Sequence, residues 1–359
     1  MVVKRKPKPL LIIITLFFIL VLIGLIGLGC WSYLLAPVDK KSDASIIVVI
    51  PEGSGVKSIA KILKDKNLIK NDLAFVVYTK INNTNSLKAS TYELKKSMNL
   101  EEIVDILQKG NSYNPDEIKI TFKEGEKITD YSLEIANNTV HTPEEVIDVM
   151  TDKEYISTLI SKYWFLTDEI LNPNIYYPLE GYLFPNTYHF ENNEVAIQVI
   201  IDKMLQESEK QLEKYKEVMI SDPHHYITMA SMLELEGTNT ENRKMIAGVF
   251  NNRLAKKMNL GSDVTTYYAL QHPMTSDLTK AQFATDNPYN TRSEKMAGKM
   301  PIGPICNPSI SSIEASVKPT ESDYLYFVAD KHGQIFYTKT YSDHIAKVNQ
   351  IKEKGDWIW

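Results

Sequence analysis

The sequence predicts an α+β protein carried on a single N-terminal transmembrane helix, with a small β/α module ahead of a larger mixed α+β domain. Three observations predict it. Leu10 to Leu35 is an almost unbroken apolar run without a charge, longer than the roughly 20 residues that cross a bilayer. Short β-branched runs follow, each leading through a turn into a helical periodicity. An apolar helix carrying Glu234 and Glu236, from Tyr226 to Glu236, then leads into a second amphipathic helix ending near Met258. With 359 residues, 43% hydrophobic and 24% charged, the chain can fill two packed cores. Its net charge of -5 argues against a nucleic-acid partner.

Lys4, Arg5, Lys6 and Lys8 make residues 1–9 a basic tail, residues 10–35 the span that meets the lipid bilayer, and 36–45 a polar linker. A signal peptide would have a shorter apolar core and a small-residue cleavage site, whereas Trp31 and Tyr33 form an interfacial belt at the far end. An uncleaved anchor is expected. Basic residues before the span put the N-terminus in the cytoplasm and everything from about Ala36 outside, a single-pass topology in the cell membrane. Cys30 ends the span and Cys306 lies far downstream, so no intrachain disulfide is expected. Gly27 stands where a lipobox before Cys30 would have Leu.

Residues 46–113 form the module. Ile46 to Ile50 is a strand, Pro51-Glu52-Gly53 a turn, and Val56, Ile59, Ala60 and Leu63 repeat at helical spacing. A second strand is expected over Leu87 to Leu94. Asn99 with Glu102 three residues on starts a helix over Leu100 to Leu107. Ile118 to Phe122, Glu124-Gly125 and Ile128 echo the strand, turn and helix. That order resembles the opening of the LysM peptidoglycan-binding module, although any small α+β unit can share it. In the connecting part, residues 114–215, Thr142 to Tyr163 reads as helix, opened by Pro143-Glu144-Glu145. The aromatics from Tyr176 to Tyr188 fit either a sugar site or packing between helices.

Residues 216–359 carry the chemistry. At about 100° per residue, Ile227, Met229, Ala230, Met232, Leu233 and Leu235 occupy nearly the whole circumference of their helix, which predicts burial on most sides. Glu234 falls between Ile227 and Ala230 and Glu236 between Met229 and Met232, so they point to opposite sides and cannot pair. A buried carboxylic acid with a raised pKa can donate a proton to a leaving group, and a structural charge held by an Arg is the alternative for each. Gly237 ends this helix, and Thr238 with Glu241 starts the next, whose stripe is Ile246, Val249, Phe250 and Leu254. Arg253 lies at the stripe's edge, where its guanidinium could meet a buried Glu. Asp263 is read as an N-cap of the following helix in preference to a catalytic carboxylate. Pro- and Asn-rich loops follow at Asn287 to Thr291 and Pro301 to Pro308, and Tyr324 to Ala329 with Gln334 to Thr338 forms a hairpin.

His224-His225 point apart on a helix, and no zincin motif, phosphate loop, dinucleotide fingerprint or Cys cluster occurs, so no metal or cofactor is expected. Cys306 has no His nearby in sequence, which leaves glutamate chemistry as the best enzymatic option.

The blocks Leu179-Glu180-Gly181-Tyr182-Leu183-Phe184-Pro185, Ala230 to Glu236, Ala247 to Leu254, Ser262-Asp263, Tyr289-Asn290-Thr291, Gly303 to Pro308 and Asp323 to Ala329 occur in the order of the YceG-like family of endolytic murein transglycosylases, which the chain resembles after its linker. The resemblance implies that the family's catalytic glutamate falls on Glu236 and that Glu234 supports it. Arg253, Asp263, Tyr289, Asn290 and Asn307 then become supporting or substrate-binding candidates. It implies cleavage between N-acetylmuramic acid and N-acetylglucosamine of peptidoglycan glycan strands to leave 1,6-anhydro ends, terminating elongation. It also implies association with penicillin-binding proteins and other elongation or division proteins. Asn186 stands where the family usually has Asp, Gly237 where Thr is common, Val264 where it has Pro, and Arg292 where it has an aromatic. Ser293 to Met300 is slightly expanded. The competing expectation is a non-catalytic, membrane-tethered peptidoglycan-binding scaffold.

Overall fold

The computed structural model describes residues 9–84, 86–110 and 113–357, so the charges of the expected basic tail lie outside the described residues. The chain divides into two compact units, Met1–Pro115 and Asp116–Trp359.

The first unit opens with α1 (Pro9–Leu35), of which Leu16–Leu35 is long and apolar enough to cross a membrane. Strands β1 (Ser45–Ile50) and β2 (Ser90–Lys95) pair antiparallel, with Val48 opposite Tyr92. Between them lie α2 (Val56–Asp65) and α3 (Asp72–Ile81), and α4 (Leu100–Lys109) follows. Val48, Leu63, Phe75, Tyr92 and Leu107 fill the core between sheet and helices. The capping box of α4 forms as its sequence requires. Asn99 accepts the Glu102 N–H at 2.9 Å, and the Glu102 carboxylate accepts the Asn99 N–H at 2.7 Å. Helix α3 is absent from the sequence reading, because its apolar residues do not make one clean stripe; Asn71 caps it by accepting the Ala74 N–H at 2.9 Å. Strand β2 starts later than Leu87, since the Lys88 N–H donates to the Leu107 carbonyl rather than to β1.

In the second unit β3 (Ile118–Thr121) pairs antiparallel with β4 (Thr187–Phe190). Helices α5 (Ile128–Asn138), α6 (Pro143–Thr151) and α7 (Lys153–Lys162) lie between them in sequence. The single helical stretch expected over 142–163 is broken at Asp152, which leaves the helical region and accepts the Tyr155 N–H at 2.6 Å to cap α7. After α8 (Ile197–Leu212) and the short α9 (Lys216–Met219) comes α10 (Pro223–Glu236). Then follow α11 (Thr240–Ala255), α12 (Asp263–Ala269), α13 (Lys280–Phe283) and α14 (Ile310–Val317). An antiparallel hairpin of β5 (Tyr326–Ala329) and β6 (Ile335–Thr338) precedes α15 (Tyr341–Glu353). Helices α8 and α15 lie in stretches to which the sequence reading assigned no element.

Helix α10 belongs to two cores at once. Ile227 and Ala230 join the core built on β3, β4 and α5 to α8. Met229, Met232 and Leu233 join the one built with α11, Tyr268 and Tyr289. This is why its apolar residues surround the helix instead of forming a stripe. The next helix is capped by Asn239, which accepts the Asn242 N–H at 2.9 Å, and not by Thr238 with Glu241; it ends at Ala255 rather than near Met258. Gly237 does end α10, but in an extended conformation (φ −104°) and not the left-handed one. Its lack of a side chain serves a close approach instead, since a Cβ there would collide with Arg243.

Candidate active site

Glu236 is the last residue of α10 and lies on the wall of a cleft of about 940 Å³. The walls are completed by Arg253 from α11, the loop into α12, the segment carrying Met274, Asp277, Leu278 and Phe283, Arg292, and the β5–α15 region with Tyr326 and His344. The Ser262 hydroxyl donates to Glu236 Oε1 at 2.6 Å. Burial pushes the pKa of Glu236 up to about 6, with nearby Asp263 adding to the rise and the Ser262 hydrogen bond, Arg292 and Arg253 opposing it. A position at the negative end of the helix dipole also disfavours the ionised form. A carboxyl poised near 6 can give a proton and take one back near neutral pH.

Glu234 lies on the other side of the helix in a different setting. It accepts hydrogen bonds from Arg243 Nη2 at 2.7 Å, from the Ser309 N–H at 2.8 Å and from the Ser312 hydroxyl at 2.7 Å. Arg243 Nε donates to the Gly237 carbonyl at 3.2 Å, which ties the end of α10 next to Glu236. Glu234 is therefore an ion-paired carboxylate whose partners all lie within the protein. The guanidinium that meets a buried Glu is Arg243, not Arg253.

Arg253 is instead held by backbone carbonyls, of Leu325 at 2.5 Å and Leu260 at 2.6 Å, and lies 5.0 Å from the centre of the Tyr326 ring. It faces the cleft, with burial drawing its pKa down. Asp263 also faces the cleft but is not an N-cap: Ser262 occupies that position, and the Asp263 carboxylate pairs with Arg292 Nε. The remaining three candidates do not line the cleft. Tyr289 is fully buried against Tyr176 and Tyr268, both ring centres at 4.9 Å. Asn290 is buried, accepting from the Thr266 hydroxyl and donating to the Phe283 and Thr285 carbonyls. Asn307 accepts the Gly181 and Leu183 N–H groups and donates to the Glu126 carbonyl. Their polar groups are spent inside the protein, so they shape loops rather than meet a ligand. The aromatic stretch around Tyr182 is likewise packing: Tyr182 is buried with its hydroxyl 2.7 Å from His224 Nδ1.

Ser262 and Arg243, which bond Glu236 and Glu234, and the buried Glu180, which lies off the cleft, are not singled out by the sequence. Ser262 was visible only as the neighbour of a more conspicuous Asp. Arg243 opens α11 one turn before the stripe that drew attention. Glu180 is 1% exposed, receives the Tyr268 hydroxyl at 3.1 Å and the Ile128 N–H at 3.1 Å, and has its pKa pushed to about 8 by burial. Its signal was a carboxylate within an aromatic run. Among the described residues no group of His, Cys, Asp and Glu could hold a metal. Cys306 is buried, its thiol pushed up by burial and donating to the Ser231 carbonyl.

A profile of the YceG-like family matches residues 48–350. The chain belongs to the YceG-like family. A Bacillus subtilis (strain 168) protein named endolytic murein transglycosylase is 38% identical to this YceG-like chain over 325 residues, 89% of this chain and 88% of that protein. A second of that name, from Streptococcus pneumoniae serotype 2, is 36% identical over 338 residues; the match covers 88% of this chain but 60% of the longer pneumococcal protein. The crystal structure of a YceG-like protein from Listeria monocytogenes superposes with a TM-score of 0.60 at 37% identity, covering 85% of this chain and 99% of that one.

Proposed function

We propose that this YceG-like chain is a membrane-anchored endolytic lytic transglycosylase of peptidoglycan, with Glu236 as its acid and base. The observation that carries the proposal is a partly buried carboxyl, its pKa raised to about 6, opening on a cleft large enough for several sugar rings. Relatives named endolytic murein transglycosylase, 36–38% identical over most of the chain, supply the substrate.

Protonated Glu236 gives its proton to the oxygen joining N-acetylmuramic acid to N-acetylglucosamine, and the bond from that oxygen to the muramoyl C1 breaks. The carboxylate left behind takes the proton of the muramoyl C6 hydroxyl as that oxygen closes on C1. A 1,6-anhydro ring forms, no water is consumed, and the acid is restored. A hydrolase would need a second carboxylate free to activate water or attack the sugar. Asp263 is the nearest choice in charge, and its carboxylate is already engaged by Arg292.

The strand, Pro-Glu-Gly turn and helix of residues 46–63 support a LysM-like reading of the module, with residues 114–215 as a connecting part and 216–359 as the catalytic part. Helix α1 supports single-pass anchoring, and the basic residues Lys4, Arg5, Lys6 and Lys8 ahead of it support an N-terminus inside. Cutting strands as they are made would terminate their elongation, close to penicillin-binding proteins and other elongation or division proteins.

The test is mass spectrometry of glycan strands incubated with the protein, wild type against Glu236→Gln. Anhydro-muramoyl ends, lighter by one water than hydrolytic ends, are expected with wild type and are lost in the variant. Reducing ends would point to hydrolysis. No cleavage by wild type would leave the chain as a wall-binding scaffold.

A further inference from the structure

We infer that helix α3 lies on the outer surface of the lipid bilayer, with Leu73, Val77 and Ile81 immersed among the headgroups beside the point where α1 emerges. This rests on the reading of α1 as a membrane span.

The three side chains recur at i, i+4 and i+8 and so share one face of the helix. They are 70%, 44% and 67% exposed, whereas Phe75 and Thr79 on the other side are buried, Phe75 in the core of the module. An exposed apolar row of this kind marks a surface that something covers. What covers it follows from the attachment of α3 to α1. Lys70, immediately before the cap of α3, donates from Nζ to the Tyr33 carbonyl at 3.0 Å and lies 3.8 Å from the centre of the Tyr33 ring. Lys64 in turn donates to the Lys70 carbonyl at 2.9 Å. The start of α3 is thereby tied to the last turn of α1, at the level of Trp31 and Tyr33, where aromatic residues take up the interface. From Leu73 to Ile81 the row extends about 12 Å along the helix.

Charge agrees. Residues 56–81 contain six lysines and two aspartates in a chain of net charge -5. Lys80 and the lysines of α2 are exposed where anionic headgroups would meet them. An amphipathic helix with lysines flanking a short apolar face suits the plane of the interface.

The full chain is reconstituted in vesicles of phosphatidylethanolamine and phosphatidylglycerol, some with lipids carrying a nitroxide quencher at a shallow or a deep acyl position. An environment-sensitive thiol fluorophore is attached at one site at a time. Native Cys30 is exposed and reports on the span, while Cys306 is buried and does not react. In a Cys30→Ser background, Leu73→Cys, Val77→Cys and Ile81→Cys report on the row and Asp72→Cys on the shoulder of the helix. Blue-shifted emission with strong loss of intensity from the shallow quencher is expected at 73, 77 and 81, and little loss at 72. If the Cys30 label is quenched while the row is not, α3 stands clear of the bilayer and the inference fails alone. If Cys30 is also unquenched, the span itself is refuted and the inference falls with it. Blue-shifted emission without lipid quenching assigns the face to protein, either a second copy or another part of the chain, and overturns the inference.

Discussion

Glu236→Gln should abolish cleavage and at the same time make the fold more stable, and the second effect can be worked out from the structure. The pKa of Glu236 rises from an ordinary 4.5 to about 6 in the folded protein. A shift of that size corresponds to about 2 kcal/mol of preference for the neutral form. The folded state holds a proton that the unfolded state has released, so this contribution is present below about pH 4.5 and lost as pH rises through about 6. Above that range the wild-type protein keeps an ionised, partly buried carboxylate, whereas a Gln carries no charge and can still accept the Ser262 hydroxyl. Partial exposure to the cleft makes about 2 kcal/mol an upper bound. For a unit of this size, that is about 4 to 8 °C in melting temperature. Paired thermal melts of the two proteins at about pH 4 and about pH 8 separate the effect from every other titrating group, because those are common to both. The variant should melt higher at the upper pH and alike at the lower one, with cleavage reduced by about 100-fold to 10,000-fold. A variant that is no more stable at the upper pH, or equally stabilised at both, would refute the assignment of a strained acid to this position.

Ser262→Ala removes the hydrogen bond that favours the ionised form of Glu236, so the alkaline limb of the pH–rate profile should move to higher pH while the acid itself remains; an unmoved limb would separate Ser262 from the acid. Arg243→Ala leaves Glu234 charged among Ser309 and Ser312, with about 3 to 5 kcal/mol of destabilisation expected in denaturant titrations. Arg243→Lys, which keeps the charge without the fork, should recover part of that stability but less of the activity. Glu180→Gln should fold normally at neutral pH and flatten the loss of stability that wild type shows as pH rises from about 4.5 towards 8, because Glu180 is held neutral over most of that range.

The two carboxylates of α10 were legible in sequence because their signal is local, a pair on opposite sides of an apolar helix, whereas the choice of Glu236 between them came from the family resemblance. The same periodicity placed β1, α2, α4, β3 and α5, each with its turn or cap written beside it. What was not legible depends on contacts between distant residues. Arg243 reaches Ser309 and Ser311 across more than sixty residues, and nothing near Arg243 in sequence announces those partners. Asn290 and Asn307 stand in loops rich in amides, which often bind ligands, yet Asn290 is consumed by the Phe283 and Thr285 carbonyls and Asn307 in tying its loop to Gly181, Leu183 and Glu126. Asp263 misled in the opposite direction, since Ser-Asp before a helix offers two possible caps and the first one took the position.

Helix α10 has no free side: one core grips it through Ile227 and Ala230 and another through Met229 and Met232. The Glu236 carboxyl is mounted at the end of that doubly held helix, and its surroundings cannot be rebuilt one side chain at a time without disturbing a core. Adaptation to different wall chemistries would therefore have to come from another bank of the cleft, where Tyr326 and His344 are only partly buried. Efforts to redirect the cut should begin on that bank and leave the helix alone.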